Sequence, residues 1–279
     1  MAAMRAALFL DKGGVGKTTG TAHLGTALEK EGYRTLLIDL AGKQGDLSKH
    51  FGLWEELQAE DRWPNIATTF QDEWSIVVEK LDSALEDLII ETEEGPDIIP
   101  AHGSLDGLDA VLANIDEPAE RYGRLDAFLT EYVDDDYDVI LLDLPGSTSN
   151  IAYNGLWAAR NVIAPVRPGP FEAGQAAQLR QDLDDIHEEQ GVTIELTMVL
   201  LNEVDERTKA GRRYLEEFAS EYPDAIAPAQ IPSSQDIQNA QMDGTVLWSL
   251  ERPSKTAQRA MAAYEEDARA LIARLGGGN

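Results

Sequence analysis

A short run near the start of the chain combines glycines, lysines and threonines in the pattern of a phosphate-binding loop. Residues 12–19 read Lys-Gly-Gly-Val-Gly-Lys-Thr-Thr. Glycines let backbone N–H groups turn inward around phosphate oxygens, where a side chain would prevent close approach. Lys17 is then placed to reach the β and γ phosphates, and the hydroxyl of Thr18 to ligate Mg²⁺. The residues expected to hold the nucleotide are Gly13, Gly14, Val15, Gly16, Lys17, Thr18 and Thr19.

Two aspartates that end apolar runs complete the expected phosphate and metal site. Asp39 and Asp143 each follow a run of apolar residues. Carboxylates at the C-terminal ends of parallel strands face the ligand crevice of such a sheet. We therefore expect Thr18, Asp39 and Asp143 to form the Mg²⁺ site, with Asp143 holding the ion through water. Gly146 follows closely, and its backbone N–H is expected to reach the γ phosphate.

Seven short apolar runs supply the strands that must position these residues. Near-continuous apolar strands that alternate with helical patterns indicate a parallel sheet covered on both faces. The sequence therefore predicts an α/β fold with a mostly parallel, doubly wound P-loop sheet, in a single domain over residues 1–279. Residues 51–96 are expected to form helices and loops at the sheet edge. The predicted strands are Arg5–Leu10, Thr35–Asp39, Asp97–Pro100, Val139–Asp143, Asn161–Val166, Ile194–Asn202 and Ala225–Ile231.

The composition limits the class of protein. The chain has 279 residues, with 51 acidic against 23 basic residues, a net charge of -28 and no cysteine. Dispersed acidic residues with 43% hydrophobic content indicate a folded protein with an acidic surface, of the kind found in salt-loving organisms. The alternative is an acidic protein from an ordinary cell. No apolar run approaches the roughly 18 residues of a membrane span, so we expect a cytoplasmic protein.

The lysine that precedes the glycines gives the loop a more specific character. Lys12 and the residues after it resemble the deviant Walker A motif of the ParA/MinD family. Further likeness lies in Asp97–Ala101, in Asn161–Gly174 and in Ile231–Ser233. The resemblance implies an ATPase that uses ATP/ADP and Mg²⁺ and forms a homodimer on ATP binding. It also implies that Lys12 reaches the partner's nucleotide, as an arginine finger does.

The resemblance places an adenine-contacting residue at Asn202. Its amide could read the base edge, and the alternative is an asparagine that caps a turn. Leu201-Asn202 ends a predicted strand.

One position departs from the family pattern. Members of the family carry a second aspartate two residues after the Asp39 position, and that carboxylate positions the attacking water. Ala41 occupies this place here and has no group to orient water. We expect Asp39 or Asp46 to substitute and hydrolysis to be slow, so that the catalytic residues are Lys12, Lys17, Asp39 and Asp46. The alternative is a switch that binds ATP and scarcely hydrolyses it.

The resemblance implies plasmid or chromosome partition, through nonspecific DNA binding, nucleoid association and a ParB-like activator. The net charge of -28 opposes DNA binding. A MinD-type positioning switch is the alternative, although the acidic C-terminal segment lacks the basic face that membranes need, so no membrane contact is expected. Nitrogenase-type iron proteins are excluded because the cluster cysteines are missing. The candidate DNA contacts are Arg207, Lys209, Arg212, Arg213, Arg252 and Lys255.

Overall fold

A single parallel sheet organises the chain in the computed structural model, which describes residues 2–42, 45–59, 62–71, 74–167, 169, 172–204 and 208–277. Its strands are β1 (Met4–Leu8), β2 (Thr35–Asp39), β3 (Asp97–Ile99), β4 (Val139–Asp143), β5 (Asn161–Val166), β6 (Glu195–Val204) and β7 (Ile226–Pro232). They lie in the order β3–β2–β4–β1–β5–β6–β7, and neighbouring strands of the described residues pair in parallel. The predicted α/β, doubly wound fold is confirmed.

The strands form where the sequence is continuously apolar, because both faces of the sheet are covered. Every residue of β2 and β4 is buried. The helices of the described residues are α1 (Lys17–Lys30), α2 (Asp46–His50), α3 (Trp54–Ala59), α4 (Trp74–Lys80), α5 (Ala84–Leu88), α6 (Leu105–Leu112), α7 (Pro118–Tyr122), α8 (Arg124–Tyr132), α9 (Asn150–Ala159), α10 (Glu172–Gln190), α11 (Lys209–Glu221), α12 (Gln235–Met242) and α13 (Lys255–Gly276). Within this described part, no helix has the length and apolar content needed to cross a membrane.

Three of these helices begin at a residue whose hydroxyl caps the first turn. Ser149 accepts a hydrogen bond from a backbone N–H of α9, Thr208 from one of α11 and Ser254 from one of α13. Such a cap satisfies one of the backbone donors that have no partner inside the helix. The local sequence therefore fixes where α9, α11 and α13 start.

The helices form two apolar layers, one on each face of the sheet. Leu24 and Leu28 of α1 lie in one buried cluster with Tyr264 and Leu271 of α13. Phe218 of α11 belongs to the cluster on the other face, together with residues of α6, α8 and α9. The apolar side of α13 is thus part of the protein core.

The described residues between 51 and 96 form short helices and loops beside β3. Trp74 of α4 is buried, and its ring contacts Phe128 of α8 edge to face with centroids 5.2 Å apart. An isolated antiparallel bridge joins Ile90 to Ile98 of the edge strand. These contacts attach the region to the sheet edge.

Two histidines that are 27 positions apart in the sequence meet inside the core. His23 of α1 and His50 at the end of α2 are both fully buried, with ring centroids 5.8 Å apart. The ring of Tyr264 stacks on His23 at 5.1 Å. Burial lowers the pKa of His23 to about 4 and that of His50 to about 3, so both rings are neutral at neutral pH. The cluster joins the helix after the phosphate loop to α2 and α13.

A buried aspartate of α13 holds the sheet edge. Asp267 is fully buried, and its Oδ1 accepts the backbone N–H of Ala229 in β7 at 2.9 Å. Burial raises the pKa of Asp267 to about 7, with a smaller contribution from the charge of Glu266. The carboxyl is therefore more stable in its neutral form within the fold.

We predict that Asp267→Asn stabilises the protein in alkaline solution and not in acid. Because the pKa of Asp267 is higher in the folded than in the unfolded protein, its protonated carboxyl stabilises the fold fully below the unfolded pKa of about 4. This stabilisation is lost as the pH rises to about 7. The amide cannot ionise, so the free energy of unfolding at pH 8 should rise by about 1–3 kcal/mol. Denaturant unfolding at pH 4.5 and pH 8 measures the difference. The exposed Asp185→Asn on α10 is the matched control, and an equal effect of Asp267→Asn at both pH values contradicts the prediction.

Candidate nucleotide-binding site

The glycine loop is shaped by an asparagine from a distant strand. Gly14 and Gly16 have positive φ angles of 72° and 97°. A Cβ atom on Gly16 would lie 2.0 Å from Nδ2 of Asn202, so a side chain cannot fit there. The Asn202 amide donates to the carbonyl of Val15 at 3.1 Å, and its Oδ1 accepts the N–H of Glu203 at 3.0 Å. Asn202 thus holds the glycine loop in this conformation.

Lys17 is held inside the loop at the start of α1. Its ammonium donates to the carbonyl of Lys12 at 2.7 Å and to that of Leu10 at 3.2 Å. Burial lowers its pKa, while the charge of Asp143 acts in the opposite direction. A Cβ on Gly146 would lie 3.0 Å from the ammonium nitrogen, so the backbone of Gly146 passes close to it. An ammonium has three donors, and this position presents the charge to an anion in the loop.

Two buried carboxylates lie side by side because of the strand register. Asp39 of β2 is the direct partner of Asp143 in β4, and they are 0% and 1% exposed. Thr18 donates its hydroxyl to Asp143 at 2.7 Å, and Thr21 does so at 3.4 Å. Burial raises the pKa of both aspartates, and the charge of Asp39 raises that of Asp143 further. Such a pair is stabilised by a proton or a cation between them.

The donor set suits a hard divalent cation. Mg²⁺ prefers one or two carboxylates with a hydroxyl, and takes its remaining ligands from water and phosphate. Thr18 and Asp143 provide such a set beside the loop. Among the described residues, no group of three or more histidine, cysteine or acidic side chains could hold a metal alone. The geometry therefore fits a metal that arrives with a phosphate.

Asp39 and Asp46 occupy different positions around the segment that begins with Ala41. Asp39 accepts the N–H of Ala41 at 3.0 Å, and both the N–H and the hydroxyl of Ser48 at 3.2 Å. Its oxygens therefore hold this segment against the sheet. Asp46 is 44% exposed, lies beside Lys49 at 2.9 Å and lines the cleft. Asp46 is the better placed of the two to meet a water molecule.

The cleft itself runs along the carboxyl ends of the strands and has a volume of about 680 Å³. The glycine loop forms its floor. On the β2 and β4 side it is lined by Ala41, Asp46, Asp106 and Gly146, and Gln238 and Gln241 of α12 lie near α2. A second set, Arg167, Glu203, Ser233 and Ser234, lies at the ends of β5, β6 and β7. The sequence analysis did not predict the second set, although Arg167 and Glu203 follow the predicted strand ends, where ligand contacts are expected.

The candidate DNA contacts fall into two groups. Arg207 lies outside the described residues. Lys209, Arg212 and Arg213 are exposed at the start of α11, and Arg252 and Lys255 are exposed near the start of α13. The two helices cover opposite faces of the sheet.

Both groups nevertheless lie towards the same edge of the sheet, the one where the strands end. Near the C-terminal end of α13, Arg274 donates to the carbonyls of Thr197 and Ala225, close to where β6 and β7 begin. The start of α13, with Lys255, is therefore at the other end, where the strands and the cleft end. Helix α11 starts shortly after the end of β6.

The fold, the glycine loop and the paired carboxylates define a P-loop nucleotide-binding protein. A model of the AAA domain family matches residues 5–197. The chain is 29% identical to the chromosome partitioning protein ParA of Caulobacter vibrioides, over 94% of this chain and 91% of that protein. It is 28% identical to the sporulation initiation inhibitor protein Soj of Bacillus subtilis, over 88% and 91%.

Solved structures of P-loop proteins are also similar to this chain. Cobyrinic acid a,c-diamide synthase from Mycobacterium smegmatis, with bound ADP and magnesium, is 26% identical with a TM-score of 0.76 over 100% of this chain and 97% of that one. The cell division ATPase MinD of Pyrococcus furiosus, at 18% identity, a TM-score of 0.70 and coverage of 98% and 99%, shares the fold. The chain therefore belongs to the AAA domain family, as a P-loop ATPase of the ParA/MinD type.

We predict that Gly16→Ala destabilises the protein by about 1–3 kcal/mol, because alanine is strained at positive φ and its Cβ meets the Asn202 amide. In Gly16→Ala/Asn202→Ala the steric part disappears, so the double variant should lose less than the sum of the two single changes. Denaturant unfolding of all variants measures this, with Gly174→Ala as control because a Cβ there meets nothing within 4 Å. If the double variant loses as much stability as the two single variants together, there is no steric conflict between Gly16→Ala and Asn202.

Proposed function

We propose that this protein is an ATP-dependent, dimerising ATPase that acts like ParA in plasmid or chromosome partition. It would bind DNA without sequence preference and respond to a ParB-like partner. The observation that carries the proposal is the loop that begins with Lys12, beside the buried Asp39–Asp143 pair. The partition proteins among its relatives support the biological role.

The phosphate end of the cleft is suited to Mg·ATP. The backbone of the loop and the Lys17 ammonium would bind the β and γ phosphates. Thr18 and Asp143 would hold the metal, and the Thr18 hydroxyl would bind it through an oxygen lone pair while its hydrogen still donates to Asp143. Bound Mg²⁺ neutralises charge on the phosphoryl oxygens. Gly146, close to the Lys17 ammonium, would donate its backbone N–H to the γ phosphate.

Lys12 provides the reason for a dimer. It immediately precedes the loop glycines and is half-buried, and its carbonyl accepts a hydrogen bond from the Lys17 ammonium. A cation supplied from a second copy stabilises charge on the transferring phosphoryl group in the way that an arginine finger does. Dimer formation would then depend on the bound triphosphate.

Hydrolysis is the step that Ala41 makes slow. The methyl side chain faces the cleft where a water-orienting carboxylate is expected. Asp46 lines the same end and is accessible, so it would orient the attacking water. Asp39 would act by holding Ala41 and Ser48 in place. A protein that binds ATP and scarcely hydrolyses it is the second candidate, and Ala41 is the observation that favours it.

We predict that Asp46→Asn lowers the single-turnover rate of ATP hydrolysis about tenfold or more, because a general-base or orienting group typically contributes 10²–10⁴-fold. Ala41→Asp should raise the rate, since it restores a carboxylate at the water position. Rapid-quench measurement of labelled phosphate release tests both. The exposed Asp243→Asn serves as control. Unchanged rates in Asp46→Asn and Ala41→Asp would contradict the assignment of Asp46 as the water-orienting residue. A wild-type rate no higher than the background rate would favour the second candidate.

A MinD-like attachment to membranes is less well supported. The apolar side of α13 packs in the core through Tyr264, Ala268 and Leu271. Its remaining surface carries Glu266 among its exposed residues. Membrane binding by an amphipathic helix needs a free apolar face and a basic one.

DNA binding is the test that separates partition from the other roles. With Mg·ATP, the wild-type protein should retain plasmid DNA, and retention should weaken as salt rises. Lys209→Ala/Arg213→Ala should weaken it equally for unrelated sequences and reduce the salt slope by about one for each phosphate that is no longer bound. Filter binding over a KCl series measures this, with Lys80→Ala on α4 as control. Absence of retention at every salt concentration contradicts the partition role.

A further inference from the structure

We infer that Asp106 of α6 is a second catalytic carboxylate, which accepts a hydrogen bond from the water molecule that attacks the γ phosphate. The inference rests on the proposed function, because it assumes that the cleft binds and hydrolyses ATP. It adds to the role proposed for Asp46. It also supplies, from a different part of the chain, the carboxylate that the methyl side chain of Ala41 cannot provide.

Asp106 lies beside the residues that follow β2. A Cβ atom on Gly42 would be 2.9 Å from Oδ1 of Asp106, so the carboxylate lies close to the Gly42 backbone. Gly42 has a φ of 60°, a conformation that a side chain would strain. Ala41 and Asp106 both line the cleft. The carboxylate therefore reaches the part of the cleft next to position 41.

Helix α6 is held in this position by another of its aspartates. Asp109 lies three positions after Asp106, so the two carboxylates share one face of α6. Oδ1 of Asp109 accepts the backbone N–H of Ile151 at 3.3 Å, and its backbone carbonyl accepts the Asn150 amide at 3.1 Å. Helix α9 begins at Asn150, shortly after Gly146. These contacts fix α6 between the residues that follow β2 and the loop that follows β4.

The residues on either side of α6 are those that would surround the γ phosphate. The backbone of Gly146 passes close to the Lys17 ammonium, since a Cβ on Gly146 would lie 3.0 Å from that nitrogen. In an in-line reaction, the attacking water lies on the side of the γ phosphorus opposite to the leaving ADP. The cleft wall on the β2 and β4 side is formed by Ala41, Asp46, Asp106 and Gly146. The attacking water would therefore lie among these residues.

The neighbouring carboxylates leave room for a second acceptor. Asp39 is fully buried, and one of its oxygens accepts both the N–H and the hydroxyl of Ser48 at 3.2 Å. Asp46 lines the cleft, while its Oδ1 accepts the Lys49 ammonium at 2.9 Å. A water molecule has two hydrogens, so two acceptors fix its orientation more firmly than one. Asp106 is exposed on the same side of the cleft and provides the second acceptor.

In the hydrolytic step, Asp106 takes a proton from the attacking water. The water oxygen bonds to the γ phosphorus while the bond from that phosphorus to the bridging oxygen breaks, and ADP leaves with the electron pair. One water proton passes to the Asp106 carboxylate and from there to solvent. The other stays on the product phosphate and is oriented by Asp46 during the attack.

Single-turnover hydrolysis of ATP in the presence of Mg²⁺ tests the inference. We expect Asp106→Asn to lower the rate about tenfold or more, because a proton acceptor typically contributes at least this much. The ATP dissociation constant, measured by equilibrium dialysis, should not rise, since the change removes a negative charge from the vicinity of the phosphates. Retained ATP binding also shows that the variant is folded. The exposed Asp116→Asn, beyond the end of α6, is the matched control and should leave the rate unchanged.

Ala41→Asp distinguishes a catalytic role of Asp106 from a structural one. If carboxylates at positions 41 and 106 serve the same water, either can replace the other. Ala41→Asp should then raise the rate by a factor about ten times larger in the Asp106→Asn background than in the wild type. Equal factors in the two backgrounds would overturn the inference, because a structural defect at position 106 would not be repaired by a carboxylate at position 41.

The outcomes separate the inference from the proposed function. If the wild-type protein does not bind ATP, the proposed function fails and the inference fails with it. If it binds ATP but hydrolyses it no faster than the background rate, the assignments of both Asp46 and Asp106 are overturned. If the wild type hydrolyses ATP and Asp106→Asn does so at the same rate, the inference alone is overturned.

Discussion

The register between β2 and β4 is the constraint on which the rest of the site depends. It places Asp39 directly beside Asp143, and both carboxylates are buried. Two such groups cannot both carry an uncompensated charge in a core, so their surroundings must supply donors or a cation. The hydroxyl of Thr18, the ammonium of Lys17 and the backbone of the segment after Asp39 meet this requirement. The same arrangement prepares a position for a divalent cation, and therefore for a nucleotide that carries one.

A second constraint connects the two ends of the cleft. Asn202 supports the glycine loop through Val15 and stabilises the left-handed backbone of Glu203. Gly16 has no side chain because the Asn202 amide occupies that space. The residue that shapes the glycine loop therefore also stabilises the backbone from which Glu203 reaches Arg167. This links the shape of the loop to the presentation of Glu203 without any contact between them.

Local signals in the sequence predicted most of the fold and part of the site. The strands are continuous apolar runs, and the loop with Asp143 is a short motif, so both are visible without tertiary information. The interaction of Asn202 with Val15 spans 187 positions, and the left-handed Glu203 depends on it, so neither could be read from the sequence. The same holds for the meeting of His23 and His50. The single-domain organisation and the salt-loving origin stay predictions, as do the individual roles of the site residues.

We propose that ATP in the loop controls assembly through Lys12. The most direct measurement is the molar mass in solution by light scattering, with Mg·ATP or Mg·ADP present. We expect a dimer with ATP and a monomer with ADP. We also expect that Lys12→Ala binds ATP, by equilibrium dialysis, and stays a monomer. A wild-type protein that binds ATP and remains a monomer, or a Lys12→Ala variant that dimerises as readily as the wild type, would contradict the claim.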